Sequence, residues 1–363
     1  MVYTLYKYHF MNNVEYSKIY TKLTKGLSPK TKDILDRRFG IKPVKNAKFD
    51  EDQIVKTETL ESIGKSLGIT RERVRQIEEA GFSFIRKNHQ ETLHALFAEL
   101  TNYFDQKGGL KREDIALQDL GHDKNKPYVL FLLTLGNQFS RVCGKKDYHY
   151  FWSTIENPES KAKEVLGGLV GDIQTHGALL TKQELAEKFA PKFALHPEAL
   201  NSYLEISKKI QENKEGKIGL VDWPEIKPRG VKDKAFLVFK KHAKPLHFRQ
   251  IAELIDQLEN TVSQKKAHPQ TVHNELIKDK RFVLVGRGMY ALSEWGYTPG
   301  TIKDVITKIL TQKQQPVGQE DLVKEVLSQR LVAKNTVLIN LNNKKHFQRN
   351  PEGKYLLRET QIS

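Results

Sequence analysis

"TLESIGKSLGITRERVRQIEEAG", residues 59–81, is the stretch on which the reading of the whole chain turns. Leu60, Ile63 and Leu67 recur at i, i+3 and i+7, one face of a helix. Thr59 stands just before them as an N-cap, and Glu61 suits the positive end of the helix dipole. Gly68 ends that helix, as glycine does at a left-handed C-terminal position. Thr70 then caps a second helix carrying Val74 and Ile77 inward, and Gly64 lets the two helices approach closely. Helix, tight turn, helix, with apolar positions on both sides, is helix-turn-helix grammar.

The second helix leaves Arg71, Glu72, Arg75 and Gln76 on its outer surface near its N-terminus. In a helix-turn-helix that end enters the major groove. Arginine can bond guanine bidentately, glutamine can bond adenine, and glutamate can accept from cytosine. The plain alternative is a charged, solvated face held by i,i+4 pairs, but Arg71 and Arg75 at that spacing repel.

These residues closely resemble region 4 of the bacterial sigma-70 family, whose C-terminal helix-turn-helix reads the minus-thirty-five promoter element. Upstream, "GLSPKTKDILDRRFGI" (26–41) resembles the first half of that region, with Ser28 as cap, Pro29 in the first turn and Ile34, Leu35 and Phe39 facing the core. The resemblance implies that Arg71, Glu72, Arg75 and Gln76 occupy base- and phosphate-contacting positions and that Arg73 meets the backbone. With the capping Thr70 they make up the expected DNA-binding set. The chain departs from the family at "EEAGFSFIRK", where Ala, Leu and basic residues are usual. Only some 25 residues precede the module. A helical domain that grips polymerase and melts the promoter does not fit there, so the expectation is a sigma-like DNA reader without initiation machinery.

Composition agrees with a nucleic-acid partner. The 363 residues suit two to four domains, and 60 Lys+Arg against 44 Asp+Glu give a formal charge of +16. No run of 18 apolar residues suggests a membrane span, and "MVYTLYKYHFMNNVEYSKIY" lacks the apolar core of a signal peptide. The lone Cys143 excludes an internal disulfide and a Cys-based zinc site, so a reducing, cytoplasmic home is the simplest reading. His196 and His268 each precede a proline, which reads as a turn opening a helix rather than as a metal ligand. No HExxH, Walker loop or GxSxG occurs, and "GRG" at 286–288 reads as a hairpin turn. No enzyme activity, cofactor, metal or small-molecule substrate is expected.

The remaining two thirds reads as a repeat. Trp152, Trp223 and Trp295 are 71 and 72 residues apart, and each ends a short β-like run: "YHYFW", "IGLVDW" and "MYALSEW". A linker and a new helix follow each time, and the two His-Pro pairs repeat 72 apart. Each unit reads as three helices and a two-stranded hairpin, a winged helix, with hairpins at "RFVLVGRGMYAL" and "HFQRNPEGKYLL". The copy at 231–297, through "KPLHFRQIAELI" and "TVHNELIKDKRFVLVGRGMYALSEWG", resembles the HARE-HTH family of winged helices, which also occurs in the delta subunit of bacterial RNA polymerase. That resemblance implies a transcription- or DNA-associated module. Arg287 at the wing tip and Arg281 before it either touch phosphate or are simply solvated, and Arg287 is counted in the DNA-binding set.

The expected fold is thus mainly α with small β-hairpin wings: a sigma-region-4-like helix-turn-helix followed by tandem winged-helix repeats. The boundaries are a helical extension at 1–25, the sigma-like domain at 26–90, and winged units at 103–155, 160–226, 231–297 and 300–358. The expected function is a bacterial, cytoplasmic transcription regulator that reads promoter-like duplex DNA. Its alternative is an accessory protein of bacterial RNA polymerase core whose winged helices dock on protein.

Overall fold

The computed structural model describes residues 15–42, 55–258 and 266–358. The first 14 residues of the expected extension, with the choice of Met1 or Met11 as start, lie outside them. Chain contacts divide the molecule into two units, 1–222 and 223–363. Among the described residues the fold is mainly helical with small antiparallel sheets, and no helix is long and apolar enough to cross a membrane.

The first unit opens with α1 (Tyr16–Leu23), α2 (Pro29–Arg38), α3 (Leu60–Leu67) and α4 (Arg71–Asn88). Ser28 accepts from the Thr31 amide and Pro29 sits in the first turn of α2. Ile34, Leu35 and Phe39 are buried, as their periodicity demands. After a single residue, His89, come α5 (Gln90–Gln106), β1 (Leu110–Arg112), α6 (Glu113–Leu135), β2 (Ser140–Val142) and β3 (Phe151–Ser153). A positive φ of 48° at His122 breaks α6 into two helices end to end. The order is therefore helix, strand, helix, helix, strand, strand, with β3 between β1 and β2 in an antiparallel sheet. That is a winged helix.

The boundary expected at 103 is corrected, because it falls inside α5. Leu93, Leu96, Leu100 and Phe104 repeat at helical spacing and are buried, so the unit's first helix begins at Gln90. The separation of this unit from the sigma-like module also fails. Tyr16, Tyr20, Leu35, Phe39, Phe82 and Ile85 join α5, Leu130–Leu133 and Trp152 in one continuous core. Phe131 lies at its centre, with ring centroids 5.0 Å from Tyr20, 5.4 Å from Phe39 and 6.0 Å from Phe82.

A second winged unit follows: α7 (Pro158–His176), α8 (Lys182–Lys188), α9 (Pro197–Ile206), β4 (Ile210–Glu212) and β5 (Ile218–Leu220). Leu180 bridges Ile218 as a one-residue first strand. His196 serves as the cap of α9, its ring nitrogen accepting from the Ala199 amide at 3.2 Å.

The unit at 223–363 carries α10 (Gly230–His242), β6 (Leu246–His247), α11 (Phe248–Leu258), α12 (Pro269–Lys278), β7 (Phe282–Gly286) and β8 (Met289–Leu292), with sheet order β6-β8-β7. Then come α13 (Ile302–Lys313), α14 (Gln319–Gln329), α15 (Lys334–Leu341), β9 (Phe347–Arg349) and β10 (Tyr355–Leu357). Each set of three helices closes its own apolar core. His268 caps α12 as His196 caps α9. Trp223 and Trp295 also correspond, each three residues past the last strand of its wing. Trp152 does not: it sits inside β3, paired with Lys111 and Arg141, and is fully buried. The register of the first copy is therefore shifted, because its wing tryptophan is spent on the shared core.

Candidate nucleic-acid interface

The site is the N-terminal half of α4 and the turn that leads into it. Thr59 caps α3 by accepting from the Ser62 amide at 3.1 Å, and Gly68 closes it at φ +66°. A Cβ at Gly64 would come within 2.7 Å of the Ile69 carbonyl oxygen. The close approach is thus between α3 and the turn backbone, rather than between helix side chains. Ile34, Ile63 and Val74 form a small buried cluster, with Leu60, Leu67, Ile69 and Ile77 around it. This cluster fixes the angle at which α4 leaves the turn. Thr70 caps α4, its hydroxyl accepting from the Arg73 amide at 3.1 Å.

Arg71, Glu72, Arg73, Arg75 and Gln76 are all exposed and share two turns of helix. Arg75 donates to both oxygens of Glu72, at 3.0 and 2.8 Å, and Arg73 donates to Gln76 at 3.1 Å. The pairing runs at i,i+3 between Glu72 and Arg75, which the repulsion of Arg71 and Arg75 in the sequence does not reveal. The fork holds the Glu72 carboxyl below the usual carboxylate range and raises the Arg75 guanidinium. Exposed pairs of this kind contribute little to stability. They orient the side chains cheaply and break at little cost.

The other half of α4 is an anchor. The residues that depart from the family pattern, around Phe82, do not end the helix, which runs on to Asn88. Phe82 and Ile85 enter the shared core, and Arg86 donates to the Leu135 carbonyl at 3.0 Å. One end of a single rigid helix is bolted to the winged unit while the other stands in solvent.

Sequence reasoning missed the brace behind the turn. Arg37 donates to both carboxylate oxygens of the buried Glu58, at 3.0 and 2.7 Å, and to Ser66 at 2.7 Å. Arg37 holds the Glu58 carboxyl below its ordinary range. The signal was present as an acid directly before a capping threonine. Tyr20 adds a bond to the buried Asp36 at 2.7 Å, and burial pushes its phenol up.

In the other unit, Arg287 is exposed at the tip between β7 and β8. Arg281 is neither simply solvated nor free for phosphate. It pairs with Asp279 and Asp233 at 2.7 and 2.8 Å and stacks on Phe236 and Phe282, which ties the foot of the wing to α10. Among the described residues no three His, Cys, Asp or Glu side chains gather as a metal site.

Comparison with known families places two segments. Residues 25–87 match the model of sigma-70 region 4. Residues 229–295 match that of HARE-HTH, a helix-turn-helix domain whose description names ASXL proteins and restriction endonucleases among those that carry it. Both are DNA-binding helix-turn-helix domains. No curated protein matches the chain.

Proposed function

We propose that the protein is a transcription regulator that reads duplex DNA with the N-terminal half of α4. Thr70, Arg71, Glu72, Arg73, Arg75 and Gln76 are the contacting residues, assisted by Arg287 from the wing at 286–289. One observation carries this reading: a capped helix is exposed along its reading face while its far half is locked in a core. Preorganisation of that kind spares the protein the cost of ordering the helix on binding. The work is positioning rather than chemistry.

Selection of bound duplexes from a random pool tests it. The parent protein should enrich a preferred sequence, and an Arg71→Ala/Glu72→Ala/Gln76→Ala variant should enrich none. Arg75→Ala should weaken binding to the enriched duplex by about ten- to a hundred-fold if it holds a base bidentately. An unaltered preference in the triple variant refutes the assignment of α4.

A second reading makes the winged helices protein-docking modules, with bacterial RNA polymerase core as partner. What supports it is that the third helices of the first two winged units already lie against protein: the second half of α6 in the shared core and α9 against β1. Co-sedimentation with purified core polymerase, with and without DNA, separates this reading from direct DNA contact.

A further inference from the structure

The four winged units present their third helices in four different ways. In the first, the second half of α6 is buried from Val129 to Leu133. In the second, α9 lies on β1, where a Cβ at Gly108 would meet that of Ala199 at 2.2 Å. In the third, α12 is open but carries Glu275 and runs into Asp279. In the fourth, α15 is open, and no acidic residue occurs anywhere from Arg330 to Pro351.

We propose that the fourth winged unit is a second duplex-DNA site, formed by α15, the segment 342–346 and the wing strand β9. It rests on the DNA-binding reading of the chain but concerns a surface that neither family match reaches. Val337 and Leu341 point into the unit's core. Asn335, Thr336 and Ile339 fall on the opposite side at i, i+1 and i+4, and all three are exposed. Ile339 is 72 % exposed, an aliphatic side chain turned to solvent. Asparagine and threonine can bond base edges, and an aliphatic side chain suits a thymine methyl on the groove floor.

Around this face Lys334, Lys344 and Lys345 are exposed. No acid occurs in the surrounding 22 residues (330–351), so this stretch carries only positive charge and suits a phosphate backbone. Arg349 is held at the turn end of β9 by a bond to the Gly353 carbonyl at 2.7 Å and lies over the Tyr355 ring, so it is fixed in place as a fourth cation. The surface thus offers phosphate contacts on both sides of an open helix.

The test uses the full chain and a random-sequence duplex, with affinity followed by fluorescence anisotropy over a range of salt. Lys334→Ala/Lys344→Ala/Lys345→Ala should lower the slope of log affinity against log salt by roughly 2–3, the loss of three phosphate contacts. An unchanged slope overturns the proposal. The Arg71→Ala/Glu72→Ala/Gln76→Ala variant is run beside it. If that variant keeps its sequence preference, the sigma-like reading fails, and the lysine variant still decides the present question by its slope. A photocrosslinker on Ile339→Cys, in a Cys143→Ser background, gives a measure independent of affinity. Crosslinks to DNA are expected, and their absence from a complex that forms refutes the placement of α15. Every altered position is exposed, including Cys143, and circular dichroism checks that the variants fold.

Discussion

The winged units at 90–226 and those at 230–358 share an element order yet use their third helix in opposite ways. In the first pair it is a structural part. From Val129 to Leu133 α6 is apolar on every side and buried, and α9 is fastened to β1 by Glu205 with Lys111 and to the turn before it by Glu198 with Lys107, at 2.8 and 3.2 Å. Backbone bonds add to this, from His149 to Ile206 and from Lys208 to Asp147. In the second pair the helix is one-sided, buried at Val272 and Leu276 or at Val337 and Leu341, and open elsewhere. The periodicity of a helix therefore tells what it is for: apolar on every side, it is core; apolar on one stripe, its other face is available. The four winged units are therefore not equivalent: the first packs against α4, and the last two leave a face of the third helix exposed.

The largest effect that can break this comparison is at Phe131. It belongs to the first winged unit but touches the rings of Tyr20 in α1, Phe39 just past α2 and Phe82 in α4. Phe131→Ala should cost about 3–5 kcal/mol, as for other buried aromatics. Hydrogen exchange followed by mass spectrometry should show the loss in 71–88 as well as in 123–135, with 302–341 unaltered. If 71–88 keeps its protection, the sigma-like module is a separate domain after all. A cut after residue 90 should behave likewise and leave a poorly cooperative fragment, since it removes the partners of Phe82 and Ile85.

A smaller effect is expected at the contact between the first two winged units. Lys111 is only 6 % exposed, and its ammonium depends on Glu205. Glu205→Ala leaves that charge buried without its partner, at a cost of about 1–3 kcal/mol. Adding Lys111→Met should recover much of the loss, because an apolar residue of similar length needs no partner. Failure of the second change to rescue would mean that packing at Gly108 and Ala199, rather than charge, holds α9 in place. Thermal unfolding of the three variants reads this directly.

Much of this was legible in the sequence where the signal is local. Thr59, Thr70, Ser28 and Gly68 sit at the termini their chemistry demands, and His196 and His268 open helices. The winged repeat was visible through Trp223 and Trp295. What was not legible was tertiary. Nothing in "YVLFLLTL" says that its apolar excess faces the sigma-like helices rather than a private core. The same missing information put a boundary at 103, inside α5. Of the two partners of Arg281, Asp279 stands two positions away in the sequence and could have been read, whereas Asp233 lies 48 positions away and could not. The exposed face and the cap of α4 were legible in the sequence because both follow from periodicity, whereas its anchor at Phe82 follows only from the fold.

The smallest expected effect distinguishes the two carboxylates that flank α4 and the brace behind it. Glu78 is turned inward beside Arg38, at 3.5 Å, and burial raises its carboxyl above the ordinary value against the pull of that guanidinium. Glu58 is held low by Arg37. A raised carboxyl favours folding only while protonated. Its contribution is complete below the unfolded value, near 4.5, and is lost as pH rises through the folded one. A lowered carboxyl does the reverse, contributing above the unfolded value and failing as pH falls through the folded one. Glu78→Gln should therefore stabilise the protein slightly at neutral pH, and the advantage should vanish below about pH 4.5, where the parent side chain is itself neutral. Glu58→Gln should destabilise at neutral pH and converge with the parent in strong acid. Chemical denaturation midpoints across a pH series measure both. Parallel rather than opposite curves would show that the two groups share one titration through Arg37 and Arg38, and that the anchor and the brace of α4 are a single electrostatic unit.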